Sequence, residues 1–275
     1  MQHYDIAAKV LIESCRDEII RFFTGIEVSD STLVEELPQE TVSLKRSDFP
    51  VLVTDKNGEK RLVILEIQTQ WNRAVPLHLL DYRIRYLIKH DVIVISCVIL
   101  LRPSKAAADQ YADNEVRFQY HLIKIYEMDG RKIVDEGPLC LLPFVPLMKH
   151  GPDLIDEADA LIYGSEMPRS SKADMLTSMA ILSGLLSNDM PSRLISRRKD
   201  IMIESAAYDI IKQDGILEGR SLAVKDLLEV KFGIQGVKLY KRCKYFHNIE
   251  TLNRLIDVIK IADSLDEVTD FIDSE

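Results

Sequence analysis

The chain has 275 residues and a mass of 31.4 kDa, is 47% apolar, and carries a formal net charge of −9. It is long enough to bury one large core, or a core and a second module, and its acidic sum argues against wholesale coating of nucleic acid. No apolar run reaches membrane-spanning length and the N-terminus lacks the basic-then-apolar order of a signal peptide, so a cytoplasmic protein with no membrane partner is expected. Cys15, Cys97, Cys140 and Cys243 are far apart with no Cys-x-x-Cys pair, which supports neither a zinc knuckle nor a disulfide framework; reduced, packed thiols are expected.

Over 5–24, Ile6, Val10, Ile12, Ile19, Ile20, Phe22 and Phe23 fall at mainly helical spacing, predicting a helix that ends at Gly25 and packs on a sheet. A polar stretch with Pro38 follows, and weak alternation over 40–45 reads as a short strand. Next come two apolar runs separated by Asp55-Lys56-Asn57-Gly58, a strong hairpin signal. With Lys56 to Gly58 as a three-residue loop, Asp55 faces Glu59 and Asp48 faces Glu66. Opposed residues of antiparallel strands share a face, and Gln68 shares it too because side chains alternate. A two-residue Asn57-Gly58 turn would instead set Asp48 against Ile67 and split the group. Pro50 implies an edge position or a bulge that resets the count.

Leu62 to Leu65 reads as a central strand buried on both faces. Pro76 opens a helix through about Lys89, with Leu77, Leu80, Ile84 and Leu87 as its apolar stripe; His78, Arg85 and Lys89 lie on the other face, with Tyr82 and Arg83 near the boundary. Residues 92–101 form a second buried strand and 115–127 an alternating one, giving an α/β pattern with a mixed sheet. Proline-broken 139–148 reads as an extended wrap over the core. Beyond Gly151 the periodicity is helical (155–164, 171–186, 191–212, 219–231, 248–263), with a break at Gly215 to Gly219. This places a boundary near 150, between an α/β domain, 1–150, and an all-helical region, 151–275. Lys and Arg outnumber Asp and Glu nine to five over 41–90 and twelve to seven over 193–245. These runs are either solvated helix faces or two basic patches that contact phosphate.

Two carboxylates on one sheet face are costly to bury unless a cation sits between them. A divalent metal meets that need, and oxygen ligands suit Mg²⁺ or Mn²⁺ held jointly with waters and a substrate phosphate. A polar residue two beyond the second acid would aim the attacking water, as in metal-assisted phosphodiester hydrolysis. The competing reading is a salt-bridged pair with Arg46 or Arg83 on a sheet rim. No nucleophile elbow and no Gly-rich phosphate loop is present, so Ser and Cys hydrolases and P-loop enzymes are not expected.

Several stretches resemble the PD-(D/E)XK nuclease superfamily, in its branch of transposase-like recombination-promoting nucleases. They are Arg46-Ser47-Asp48-Phe49, the hairpin with Glu66-Ile67-Gln68-Thr69, Leu79-Leu80-Asp81-Tyr82-Arg83, Tyr126-Glu127-Met128, Leu141-Leu142-Pro143-Phe144-Val145-Pro146-Leu147 and Glu229-Val230-Lys231-Phe232-Gly233. The resemblance covers most of the chain. It implies a restriction-endonuclease-like mixed central sheet flanked by helices, and a metal-dependent DNA endonuclease linked to recombination or a mobile element. Carried over by residue, Asp48 and Glu66 bind Mg²⁺ or Mn²⁺, the Ile67 carbonyl adds a ligand, and Gln68 stands where the motif has lysine. Ser47 stands where the motif has proline. Glutamine carries no charge and transfers no proton, so it positions water or binds metal. The helix after the hairpin would flank the site, making Arg46, Tyr82, Arg83 and Arg85 candidates for DNA contact, with Tyr82 equally readable as core and His78 as a surface residue. Glu13, Glu35 and Glu36 are the upstream acids that spacing leaves open, and Trp71 is expected to pack over the strand end. The functional alternative is a non-catalytic nuclease-fold protein that binds DNA or assembles with partners. The helical tail either makes a homodimer, as two-fold cutting of a duplex requires, or packs on the core of its own chain.

Overall fold

The computed structural model describes residues 3–34, 49–90, 92–187, 189–243, 246 and 248–274. By contacts the chain divides into two compact units, Met1–Tyr208 and Asp209–Glu275. The last strand ends well before residue 150, but the helices that follow share the core of the sheet, so the first unit continues past that point.

The first unit is built on a five-stranded mixed sheet. Helix α1 (His3–Thr24) comes first and stops where Gly25 takes φ 71° and donates its N–H to the Arg21 carbonyl. Strands β1 (Val28–Leu33), β2 (Phe49–Asp55) and β3 (Lys60–Gln68) run antiparallel in sequence; α2 (Ala74–Lys89) then returns the chain to β4 (Ile93–Leu100), which is parallel to β3. A two-stranded ribbon, β5 (Gln110–Ala112) and β6 (Arg117–Gln119), precedes β7 (His121–Lys124), which completes the sheet order β1-β2-β3-β4-β7 in parallel with β4.

The hairpin follows the three-residue loop. Val53 pairs with Arg61 and Thr54 with Lys60, Gly58 takes φ 82°, and Asp55 N–H donates to the Glu59 carbonyl. Asp55 is buried, and its carboxylate accepts the backbone N–H groups of Asn57 and Glu59 at 2.9 Å each, fixing the turn from inside. Pairing continues without a bulge through Pro50↔Ile64 to Phe49↔Leu65.

Side chains alternate between two cores. Val63, Leu65 and Ile67 face α1 and the helices after the sheet, while Leu62 and Ile64 face α2 and the ribbon. On the first side, the 3₁₀ segment Leu139–Leu147 is buried almost throughout beneath α3 (Gly130–Glu136), α4 (Ile155–Gly164) and α5 (Arg169–Ser183), and α6 (Asp189–Met202) packs on α5. It was expected to be extended; the φ near −65° that Pro143 and Pro146 impose suits 3₁₀ turns equally well. Buried Asp159 of α4 accepts from Arg198 of α6 at 2.6 Å, and the guanidinium lies 3.9 Å from the Tyr163 ring centre. Cys15 and Cys140 form a disulfide joining α1 to the 3₁₀ segment, contrary to the expectation of reduced thiols. Cys97 and Cys243 are free and buried, and burial pushes their thiols up to about 12 and about 11.

Three further elements differ from the sequence reading. Helix α2 is rotated: Val75, Leu79, Tyr82 and Tyr86 are buried, whereas Leu77, Ile84 and Leu87 are exposed. The strand expected over 115–127 is divided at Tyr120, whose N–H bonds the Asp109 carbonyl where the chain leaves the ribbon for the main sheet. Strand β1, Val-Ser-Asp-Ser-Thr-Leu, has too little apolar alternation to announce itself, and it is held by Arg16, which donates to the Ser31 hydroxyl at 2.7 Å and carbonyl at 2.9 Å. The short strand expected over 40–45 lies outside the described residues.

The second unit has its own core. Helix α7 (Ala206–Cys243) passes through Gly215 and Gly219 without the expected break and kinks instead at Gly233, at φ 60°. Isolated glycines cost a helix about 1 kcal/mol each, and between these two only Leu217 is partly buried against the core of this unit. Val224, Leu228 and Leu239 pack with Leu252, Leu255 and Ile259 of α8 (Ile249–Ile261) and Val268 and Ile272 of α9 (Leu265–Ser274). Asn248 caps α8 by accepting the Glu250 N–H at 2.8 Å.

Candidate active site at the carboxyl ends of the parallel strands

Glu66 lies near the carboxyl end of β3, the middle strand of the sheet, as the one charged side chain in the buried run Leu62 to Ile67. It is 7% exposed and accepts a hydrogen bond from the Gln68 side-chain amide at 3.0 Å. A carboxylate in such a place needs bonded partners, and the alternation of β3 supplies Gln68 on the same face two residues on. One amide hydrogen is thereby used, and the glutamine keeps a second donor hydrogen and its carbonyl oxygen as an acceptor.

Because β3, β4 and β7 are parallel, their carboxyl ends share one edge, the place where open α/β sheets put ligands. Gln68 stands level with Leu100 of β4 and Lys124 of β7, all on the Glu66 face. Lys124 pairs with Glu127 at 3.2 Å. The sequence reading does not single out Lys124; the clue was the alternation of Leu122 and Lys124, ended by buried Ile125. Just past the edge, Gln70, Trp71, Arg102, Pro103 and Ser104 line a cleft of about 430 Å³. Trp71 packs as expected, stacking on Tyr120 with ring centres 6.4 Å apart.

The other candidates are scattered. Asp48, Arg46, Glu35 and Glu36 lie outside the described residues. The Ile67 side chain turns to the opposite face, so only its backbone oxygen is a possible ligand. Tyr82 is 2% exposed in the core between α2 and the sheet, and His78 is exposed. Arg85 is held by Asp81 one turn earlier at 2.6 Å. Arg83 donates to the Val94 carbonyl and makes no ion pair among the described residues. Val94 is four residues before Val98, the partner of Glu66, so this contact sits about 13 Å along the strand from the acid. Helix α1, and Glu13 with it, packs on the other face of the sheet.

Among the described residues no group of three or more His, Cys, Asp or Glu is close enough to share a metal ion. The donors that are present, the Glu66 carboxylate and the Gln68 and Ile67 carbonyls, are all oxygen, which fits a hard cation such as Mg²⁺ or Mn²⁺ and not a thiolate-seeking metal. Among the described residues no helix is long and apolar enough to cross a membrane. Fold and site together define a mixed α/β protein with a buried acid at the carboxyl end of a central strand. Comparison with models of known families, with curated proteins and with solved structures finds no match.

Proposed function

We propose that the chain is a divalent-metal-dependent DNA endonuclease with a restriction-endonuclease-like core, of the kind its sequence resembles. The observation that carries this reading is the hairpin register. An antiparallel ladder that runs unbulged from Thr54↔Lys60 to Phe49↔Leu65 is the one in which sequence counting sets Asp48 across from Glu66. Glu66, with Asp48 and the Ile67 carbonyl, would hold the ion. When bound, a divalent cation there lowers the pKa of a coordinated water and offsets charge on the phosphate.

The remaining work falls to the chain itself. Gln68, fixed by its bond to Glu66, orients a water through its free carbonyl oxygen but cannot take the proton. Arg102, exposed beside the strand ends, and Lys124, on the same rung as Gln68, are cations within the sheet edge that a phosphodiester would approach. The test is plasmid nicking by the full chain in Mg²⁺ or Mn²⁺. Wild type should cut, Asp48→Ala and Glu66→Ala should fall to background, and equal cutting by either variant sinks the reading.

A second reading has one observation in its favour. The Gln68–Glu66 bond already gives the buried acid a partner, as in a nuclease fold retained as a DNA-binding or assembly module. Calorimetric titration separates the two: Mn²⁺ binding that Glu66→Ala abolishes favours the enzyme, and DNA binding without metal uptake favours the module.

A further inference from the structure

A second cleft, of about 730 Å³, opens between the later turns of α2, the start of β4 and the ribbon. Its size is that of a small-molecule site. Arg83 of α2, Ser96 of β4, Arg117 of β6, His121 of β7, Asp109 and Tyr120 all line it. It adjoins the strand-end site on the same face of the sheet, since Ser96 pairs with Ile64, two residues or about 7 Å before Glu66 on β3.

Three features of this lining are unusual together. Ser96 is 3% exposed and its hydroxyl has no hydrogen-bond partner, although buried hydroxyls are as a rule satisfied. Arg83 is half-buried and spends one nitrogen on the Val94 carbonyl; it makes no ion pair among the described residues, and burial lowers its pKa. Arg117 also lacks an ion pair among the described residues, and Asp109 is the only carboxylate among the lining residues. The cleft therefore holds two guanidinium groups against one carboxylate, beside a hydroxyl with nothing to bond. Guanidinium forks match phosphate oxygens, and donors spread over a helix and two strands suit an anion with oxygens on several sides better than a planar carboxylate.

We propose that this cleft binds a phosphate-bearing ligand of mononucleotide size, with Arg83, Arg117 and Ser96 contacting the phosphate. The proposal does not rest on the nuclease reading. It is tested in EDTA, so neither failure implies the other.

The assay is thermal unfolding of the full chain followed by Trp71 fluorescence, with adenosine monophosphate, inorganic phosphate and adenosine as probes. Adenosine monophosphate should raise the midpoint, adenosine should not, and Arg83→Gln should lose the shift. Inorganic phosphate that gives the same Arg83-dependent shift supports the site and names free phosphate as its ligand. Arg83 also bonds the sheet backbone, so exposed Arg117→Gln and the small change Ser96→Ala guard against misfolding. Each should weaken binding about tenfold, the loss of one charge-assisted hydrogen bond. Ser96→Ala should also unfold at or above the wild-type temperature without ligand. No shift with either phosphate, an equal shift with adenosine, or full binding by both Arg117→Gln and Ser96→Ala overturns the proposal.

Discussion

Replacing Leu79 and Ile84 one at a time by alanine asks which face of α2 is inside. Leu79 is fully buried in one cluster with Leu62, Ile64 and Val98, so truncation removes three carbons, a branch point and its two methyls, from a packed site and leaves a cavity in a sheet-backed wall. Such losses cost about 2–5 kcal/mol. Ile84, five residues on, is 47% exposed, and alanine is the better helix former, so its loss should lie within about 0.5 kcal/mol of zero. For a unit of this size about 3 kcal/mol lowers the melting temperature by roughly 6–12 °C. The readout is built in: the lone tryptophan, Trp71, packs in the same cluster as Leu79, so its fluorescence in urea follows this core and not the second unit. An Ile84→Ala loss equal to that of Leu79→Ala would mean that Leu77, Ile84 and Leu87 face inward after all.

Two further substitutions probe other joints. Gly58→Ala should destabilise the hairpin by about 1–2 kcal/mol in urea unfolding, entirely through the backbone, because an added Cβ would meet nothing within 4 Å while φ is 82°; an unchanged midpoint would contradict the three-residue loop. Asp159→Ala strips the carboxylate from Arg198, whose side chain is 20% exposed, and should cost about 1.5–3 kcal/mol, the worth of hydrogen bonds to a charged group, and a loss under about 0.5 kcal/mol would show that solvent replaces the pair.

Local chemistry was legible in the sequence. Asp55 and Gly58 set the hairpin register, Gly25 ends the first helix, and the bounds of α4 and the alternation of Glu66 with Gln68 follow from spacing. What spacing leaves open is which of two apolar faces meets the core. Helix α2 carries both Leu77-Leu80-Ile84-Leu87 and Val75-Leu79-Tyr82-Tyr86, and only the sheet and ribbon around it choose the second, because the two tyrosines fill more of the space than leucines would. The same choice takes Tyr82 from the list of contact residues into the core. Strand β1 is set by Arg16 reaching from a helix, and the Cys15–Cys140 bond by folding that brings together residues 125 apart; neither leaves a local mark.

That disulfide has a mechanical consequence. Every strand among the described residues, from Val28 to Lys124, lies between the two cysteines, so the sheet sits inside one covalent ring. Tension applied at the chain ends crosses from α1 to the 3₁₀ segment through the sulfur atoms and never loads the strands. Pulled to full extension, the oxidised chain should fall short of its contour by the length of 125 residues, about 430 Å. Adding a reductant should restore that length, and with it a rupture event for the sheet.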